Sequence, residues 1–315
     1  MHSRSSDPSQ PAKDPLAEVI TLLRPQTVLS KVISGAGRWA VRYEGYEDPG
    51  FCLVLEGSCF LDPKGIGPIE LTEGDFVLLP VVRSFTMASD LETKPVKVSP
   101  SATPADELRH GTKSGPPSMR QLGGYFRFDR ANAQLLVKFL PSMVLIRRGE
   151  AGSARVRRIV ELIVEETAAQ RPGRDLILER LVEVLLVEAL RFRPASAAGK
   201  QSQGLLAGLA DPALARALRR MHEEVAFRWT VEELARAAGM SRAVFAERFN
   251  RTVGMPPMEY LLEWRIAIAK DVLARERAPL AELAERIGYQ SASAFSTAFT
   301  RQVGCSPSAF ARGAS

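Results

Sequence analysis

At 315 residues, 45% hydrophobic and 25% charged, the chain has the composition of a globular protein and enough length for two domains. Its 42 Lys and Arg against 36 Asp and Glu give a net charge of +6, which suits a polyanionic partner but is too weak to establish one. The three cysteines (Cys52, Cys59, Cys305) form no C-x-x-C pair and, with only three histidines, exclude a disulfide framework and argue against a Cys/His zinc cluster, so a reducing cytoplasm is the expected location.

Residues 1–14 are polar and Pro-containing, and read as a disordered tail with no signal-peptide pattern. Pro15–Leu23 reads as a short amphipathic helix that starts on a proline and is stopped by Pro25. From Thr27 to Ala88, short apolar runs such as "FCLVLEGSCFL" and "DFVLLPVV" alternate with Gly, Pro and Asp. That spacing predicts an all-β sandwich or barrel. Cys52 and Cys59, seven apart in one such run, are expected to face opposite sides. Residues 90–117 read as a long loop, and "GGYFRFD" (Gly123–Asp129) as the last strand. The most apolar run, Leu135–Ile146, is broken by Lys138 and Pro141 and falls short of the ~20 residues of a membrane helix. No membrane partner is expected.

Helical periodicity begins at Arg155 and continues in two amphipathic stretches separated by "QRPGRD", which predicts an antiparallel pair within residues 151–193. The second stretch is apolar on more than one face. Either a subunit partner or the β-domain could cover it. Residues 194–210 read as a linker, and residues 211–315 are helical throughout.

The last hundred residues hold an internal duplication, at 230–260 and 279–310. Leu234-Ala235 matches Leu283-Ala284, and Gly239 matches Gly288. Phe245 and Phe249 match Phe295 and Phe299, Gly254 matches Gly304, and Tyr260 matches Phe310. The offset grows from 49 to 50 at the turn. Each copy reads as a helix, a Gly-containing turn and a second helix capped by Ser241 or Ser291, at about 231–252 and 280–302. The small Ala235 and Ala284 permit close helix approach. Between the copies, a helix beginning at Pro257 and running to about Glu276 spans roughly 30 Å, close to the ~34 Å of one DNA turn.

These residues resemble the AraC/XylS family of bacterial transcription regulators. The likeness covers about residues 211–313, through "GMSRAVFAERF", "GMPPMEYLLEWRI" and "IGYQSASAFSTAFTRQVGCSP". The segments "GFCLVLEGSCFL", "LTEGDFVLLP" and "GGYFRFD" resemble a cupin-type sensor domain. The resemblance implies a multidomain fold, with an all-β cupin-like barrel with flanking helices (15–150) and a C-terminal all-α domain with two helix-turn-helix motifs (211–315). It also implies a dimerising helical segment (151–193), a regulator and not an enzyme, no cofactor, and double-stranded DNA and a small-molecule effector as partners. A homodimer is expected, and RNA polymerase is a further candidate partner.

With Phe245 and Phe249 inward, the first reading face comprises Ser241, Arg242, Ala243, Ala246, Glu247, Asn250 and Arg251. Arg242, Arg248 and Arg251 could reach phosphates or guanine edges. Glu247, where many relatives carry Arg, could accept from a cytosine amino group or pair with Arg251 one turn on. The second face comprises Ser291, Ala292, Ser293, Ser296, Thr297, Thr300 and Arg301, with no side chain suited to bidentate base readout. It is expected to position more than it reads. From Leu205 onward there are 15 Lys and Arg against 12 Asp and Glu, so a modest salt dependence is expected.

Members of the sensor subgroup commonly carry metal-type histidines where this chain has Cys52 and Ser84. With His2, His110 and His222 all placed outside the barrel strands, a metal-dependent cupin enzyme, the alternative class, lacks its ligands. Trp39, Phe51, Cys52, Leu53 and Phe85 are the candidate effector-pocket residues, against a plain core reading. A scaffold with no effector stays open, as does oxidant sensing by Cys52, which needs a lowered thiol pKa.

Overall fold

The computed structural model describes residues 14–45, 48–80, 84–98, 107–129, 132–133, 139–150, 152–169, 171–192, 203–276 and 278–313. The tail at 1–13 and the linker residues 194–202 lie outside these. By their contacts the residues form two units, one spanning 23–202 and the other joining 203–315 with the N-terminal 1–22.

Among the described residues the first unit is built on ten strands, in chain order β1 (Gln26–Ala36), β2 (Ala40–Glu44), β3 (Gly50–Pro63), β4 (Ile69–Thr72), β5 (Phe76–Leu79), β6 (Ser84–Ala88), β7 (Val96–Val98), β8 (Glu107–Gly111), β9 (Met119–Arg127) and β10 (Val144–Ile146). The long β3 serves both halves. Its start pairs with β5 and β9, and its end pairs with β4 and β6. A register shift at Val54/Glu56 reverses which alternate residues point inward. As a result Cys52, Val54, Cys59 and Leu61 all enter one core, and the expectation that the two cysteines face apart is corrected.

Residues 90–117 are not one long loop, contrary to the expectation from sequence. They carry β7, parallel to β2, and β8, parallel to β1, so His110 stands on a barrel strand after all. The short runs "VKV" and "ELRHG" are too polar for a strand signal on their own, and the sheet supplies their partners. The "GGYFRFD" strand begins earlier, at Met119, lies between β1 and β3, and is not last. β10 comes after it in the chain and pairs with β5, where the buried Asp75 accepts from Arg147 Nη1 at 2.6 Å and from the Arg148 backbone N–H at 3.0 Å.

The two long helices, α2 (Ser153–Ala168) and α3 (Arg174–Arg191), pack on each other. The second apolar surface of α3 is covered within the chain, by β1 and β10. Leu178, Val182, Leu185 and Leu186 are buried there, while Leu162, Leu176, Ile177 and Val184 remain exposed.

The second unit contains α1 (Pro15–Leu23), α4 (Leu205–Ala210), α5 (Pro212–Glu223), α6 (Val231–Ala238), α7 (Arg242–Val253), α8 (Pro257–Arg275), α9 (Leu280–Arg286), α10 (Ala292–Val303) and α11 (Pro307–Gly313). Residues 205–210, read as linker, form a helix because Leu205 is fully buried and Gly208 lets Leu218 and Val253 approach. α1, expected with the barrel, sits by its contacts in the helical unit. Its Glu18 Oε2 lies 2.6 Å from His222 Nδ1, and His222 Nε2 lies 2.8 Å from the Tyr260 hydroxyl. His222 also stacks on Trp264 at 4.3 Å between ring centroids. Leu16, Val19 and Ile20 of α1 are buried as well, and the Glu18–His222 contact joins residues 204 apart in sequence. Among the described residues no helix is long and apolar enough to cross a membrane.

The helix-ending turns repeat closely. Gly239 N–H donates to Arg236 O at 3.0 Å and Met240 N–H to Ala235 O at 2.9 Å. In the second copy Gly288 N–H donates to Glu285 O at 3.0 Å and Tyr289 N–H to Ala284 O at 2.8 Å. Gly288 has φ +82°, and a Cβ there would lie 2.5 Å from Ala226 O; Gly304 has φ +87° with open space around it. Gly304→Ala is therefore expected to cost about 1–2 kcal/mol from backbone conformation alone. Gly288→Ala should cost at least about 1 kcal/mol more, through the added clash. Thermal unfolding followed by helical circular dichroism checks this, and equal shifts for the two variants would contradict it.

Candidate functional site

Each second helix is held by the same aromatic arrangement. Phe245 and Phe249 lie 5.6 Å apart between ring centroids, as do Phe295 and Phe299, and all four are fully buried. Phe249 meets the edge of Tyr260 at 5.9 Å, and Phe299 meets that of Phe310 at 5.6 Å. Tyr260 opens the connecting helix α8 and Phe310 lies on α11, so each second helix is pinned from outside its own hairpin. Two inward residues four apart fix the rotation of a helix about its axis, and hence which side chains point out.

On α7 the outward residues are Ser241, Arg242, Ala243, Glu247, Asn250 and Arg251, all exposed, with Ala246 half-buried between them. Ser241 occupies the N-cap with extended backbone, but its side chain makes no capping hydrogen bond, contrary to expectation. Arg242 pairs with Glu232 at 3.2 Å and Arg251 with Glu247 at 3.8 Å, the helical pairing that was one of two readings of Glu247. Both pairs are solvent-exposed and weakly held, typically well under about 1 kcal/mol. Arg248 is corrected. It turns back to Asp211, whose Oδ2 accepts from its Nε and Nη2 at 2.6 Å, while Asp211 Oδ1 caps α5 by accepting from Ala213 and Leu214 N–H.

On α10 the pattern of exposure is nearly the same. Ser291, Ser293, Thr297, Thr300 and Arg301 are exposed, and Ala292 and Ser296 are half-buried. Ser291 Oγ does cap its helix, accepting from Ala294 N–H at 3.1 Å. Thr297 Oγ1 donates to Ser293 O at 3.0 Å, which occupies its proton inside the helix. α8, at 19 residues, spans about 29 Å between the two copies.

The barrel holds a partly open cavity of about 190 Å³. Of the five pocket candidates, Phe51, Cys52 and Phe85 line it. Trp39 and Leu53 do not, because both are buried in packing away from its wall. Tyr43, His110, Gln121 and Tyr125 line it and were missed. Leu108 and His110, two apart on β8, share that face, an alternation that could have been read once residues 107–111 were taken as a strand. The His110 Nε2 lies 3.3 Å from the Tyr43 hydroxyl, and burial pushes the imidazole pKa down, so the ring is neutral.

The donor set does not fit a metal. A protein-held catalytic metal takes about three side-chain ligands, and among the described residues no three His, Cys, Asp or Glu come together. Burial pushes the Cys52 thiol well above the ordinary range and that of Cys59 up to about 12. Burial thus favours the protonated thiols, opposite to the lowered pKa that oxidant sensing by Cys52 requires.

Residues 14–192 match the cupin family and residues 234–313 a helix-turn-helix domain family. An AraC-like transcription regulator of Streptomyces antibioticus is 39% identical over 93% of this chain and 97% of its own. One from Streptomyces lividans is 39% identical over 93% and 96%. The HTH-type transcriptional regulator AlkR of Acinetobacter baylyi is 28% identical over 86% and 90%.

The different partners of the two arginines on α7 separate structural from surface roles. Arg248→Ala, which strands a largely buried Asp211, should lower stability by about 1–3 kcal/mol. Arg251→Ala should leave it within about 0.5 kcal/mol. Thermal midpoints of the two purified variants measure this, and an unchanged midpoint for Arg248→Ala would contradict the assignment.

Proposed function

Because the chain belongs to the AraC-type transcription regulators with an N-terminal cupin domain, we propose that α7 and α10 enter successive major grooves on one face of double-stranded DNA, under the control of a small effector held in the barrel. The observation that carries this reading is the duplicated aromatic clamp, which turns equivalent faces of two helices outward at the two ends of a connector about 29 Å long.

In the first groove Arg242, Ala243, Ala246, Glu247 and Asn250 approach base edges. Arg242 gives up its weak Glu232 partner for a base edge, and Arg251 exchanges Glu247 for a phosphate. In the second, Ser291, Ser293 and Arg301 hold the backbone while Ala292, Ser296 and Thr297 offer methyl and hydroxyl contacts. Such side chains make few bidentate base pairs, so the second copy positions the protein and the first selects sequence.

The cavity supports effector control over an effector-free scaffold. The helix pair supports a homodimer: Ile177 and Val184, two turns apart on α3, leave an apolar face exposed together with Leu162 and Leu176. RNA polymerase is the partner an activator would require, and the cytoplasm the compartment. The metal-dependent enzyme reading lacks support, because no three His, Cys, Asp or Glu come together among the described residues.

Duplex retardation tests the asymmetry. Arg242→Ala combined with Ala246→Glu should weaken specific binding by at least about a hundred-fold and erase discrimination against random DNA. Ser296→Ala combined with Thr297→Ala should weaken specific and random binding alike, by about ten-fold or less. Equal loss of discrimination from both pairs would overturn the division of labour.

A further inference from the structure

The duplication of the helical unit extends to an arginine that serves the two copies differently. Arg216 on α5 and Arg265 on α8 stand 49 positions apart, the same offset as Gly239 and Gly288. Each lies against the turn of the hairpin that follows it. A Cβ on Gly239 would sit 3.4 Å from Arg216 Nη2, and one on Gly288 2.7 Å from Arg265 Nη2. Arg216 stays within its own copy, where its Nε donates to Ala237 O at 3.1 Å and its Nη2 to Ala238 O at 2.8 Å, satisfying carbonyls at the end of α6.

Arg265 reaches into the other copy. Its Nε and Nη2 donate to Val225 O at 3.0 and 2.8 Å, and its Nη2 also to Phe227 O at 2.7 Å. Those carbonyls belong to the loop that enters the first hairpin. The Trp229 N–H donates to Phe227 O at 2.9 Å, and Thr230, next in the chain, forms the capping box of α6 with Glu233. On its other side the Arg265 guanidinium lies 6.0 Å from the centroid of the Tyr289 ring, which packs on Phe295 of the second clamp at 5.7 Å. Loop and turn also meet directly, since a Cβ on Gly288 would lie 2.5 Å from Ala226 O. A planar guanidinium can hold two carbonyls and still offer its plane to a ring, which an ammonium cannot.

We propose that Arg265 is a positioning residue for DNA binding, which locks the two reading helices into one spacing by tying the loop at 225–227 to the turn at 288–289. This rests on the reading of α7 and α10 as entering successive grooves, and names what keeps them in step. The connector α8 sets the distance between the copies, and the Arg265 bridge holds their relative rotation. Loosening it lowers the effective concentration of the second helix at its groove, without changing either helix's own contacts.

The probe is a duplex selected from random sequence by the intact wild-type chain. It is compared with the same duplex lengthened by one base pair between the two grooves, which turns one site by about 35° relative to the other, and with a half-site duplex keeping the first groove's bases alone. Fluorescence-anisotropy titration should show the wild type losing at least about ten-fold in affinity on the insertion. Arg265→Met, which removes the donors, should bind the selected duplex about ten-fold more weakly and lose less than about three-fold more on the insertion. Its half-site affinity should equal that of the wild type. Arg265→Lys, which keeps the charge without the fork, should fall between the two, and carries the test if the Met variant fails to fold. An insertion penalty as large in the variants as in the wild type would overturn the lock. So would half-site affinity that falls together with full-site affinity, the mark of a residue needed only for the fold. A wild type indifferent to the insertion would overturn the two-groove reading itself, and the lock with it.

Discussion

The burial of two phenylalanines one turn apart, each pair closed by a third aromatic ring from a neighbouring helix, is the constraint on which the helical unit depends. A short helix standing alone has no fixed rotation and little stability. Phe245 and Phe249 against Tyr260, and Phe295 and Phe299 against Phe310, supply both. The same contacts decide that the opposite face is left to solvent. The third ring ties each helix to the next helix of the chain, so the first clamp also fixes the start of the connector α8. Similar clamps in two copies turn a pair of helical hairpins into two faces with a defined spacing.

With the scaffold so nearly duplicated, the differences between the copies fall on the outward residues. Both second helices have nearly the same sequence of buried and exposed positions, yet one shows Arg242, Glu247, Asn250 and Arg251 where the other shows Ala292, Thr297, Thr300 and Arg301. Even the hydroxyl of Thr297 is spent on its own helix. The single extra residue in the second turn comes after the Tyr289 N–H has closed the end of α9, so it lengthens the approach to α10 without altering how α9 ends.

How much could be read from sequence depends on how local each cause is. The duplication, the Phe spacing and the turn glycines were legible, because period and conformational need are local properties. The placement of α1 was not. Its Glu18 meets His222, 204 residues away. Nor was the convergence of Cys52 and Cys59, because a register shift within β3 breaks the alternation from which facing is counted. β7 and β8 are short and polar and become strands through their neighbours, which hid His110 from any count of barrel residues. Arg248 looked like its exposed neighbours, and only the folded position of Asp211 draws it inward.

The chain leaves α1 at Leu23 and begins β1 at Gln26, so the barrel segment is bounded in sequence at both ends by parts of the helical unit. The central claim is that one face reads and the other holds, and base-by-base interference on a bound duplex tests it most directly. Methylation of purine bases should block binding within one major groove, while ethylation of phosphates should block it there and again about ten base pairs away. Base interference of equal strength in both grooves would contradict the account.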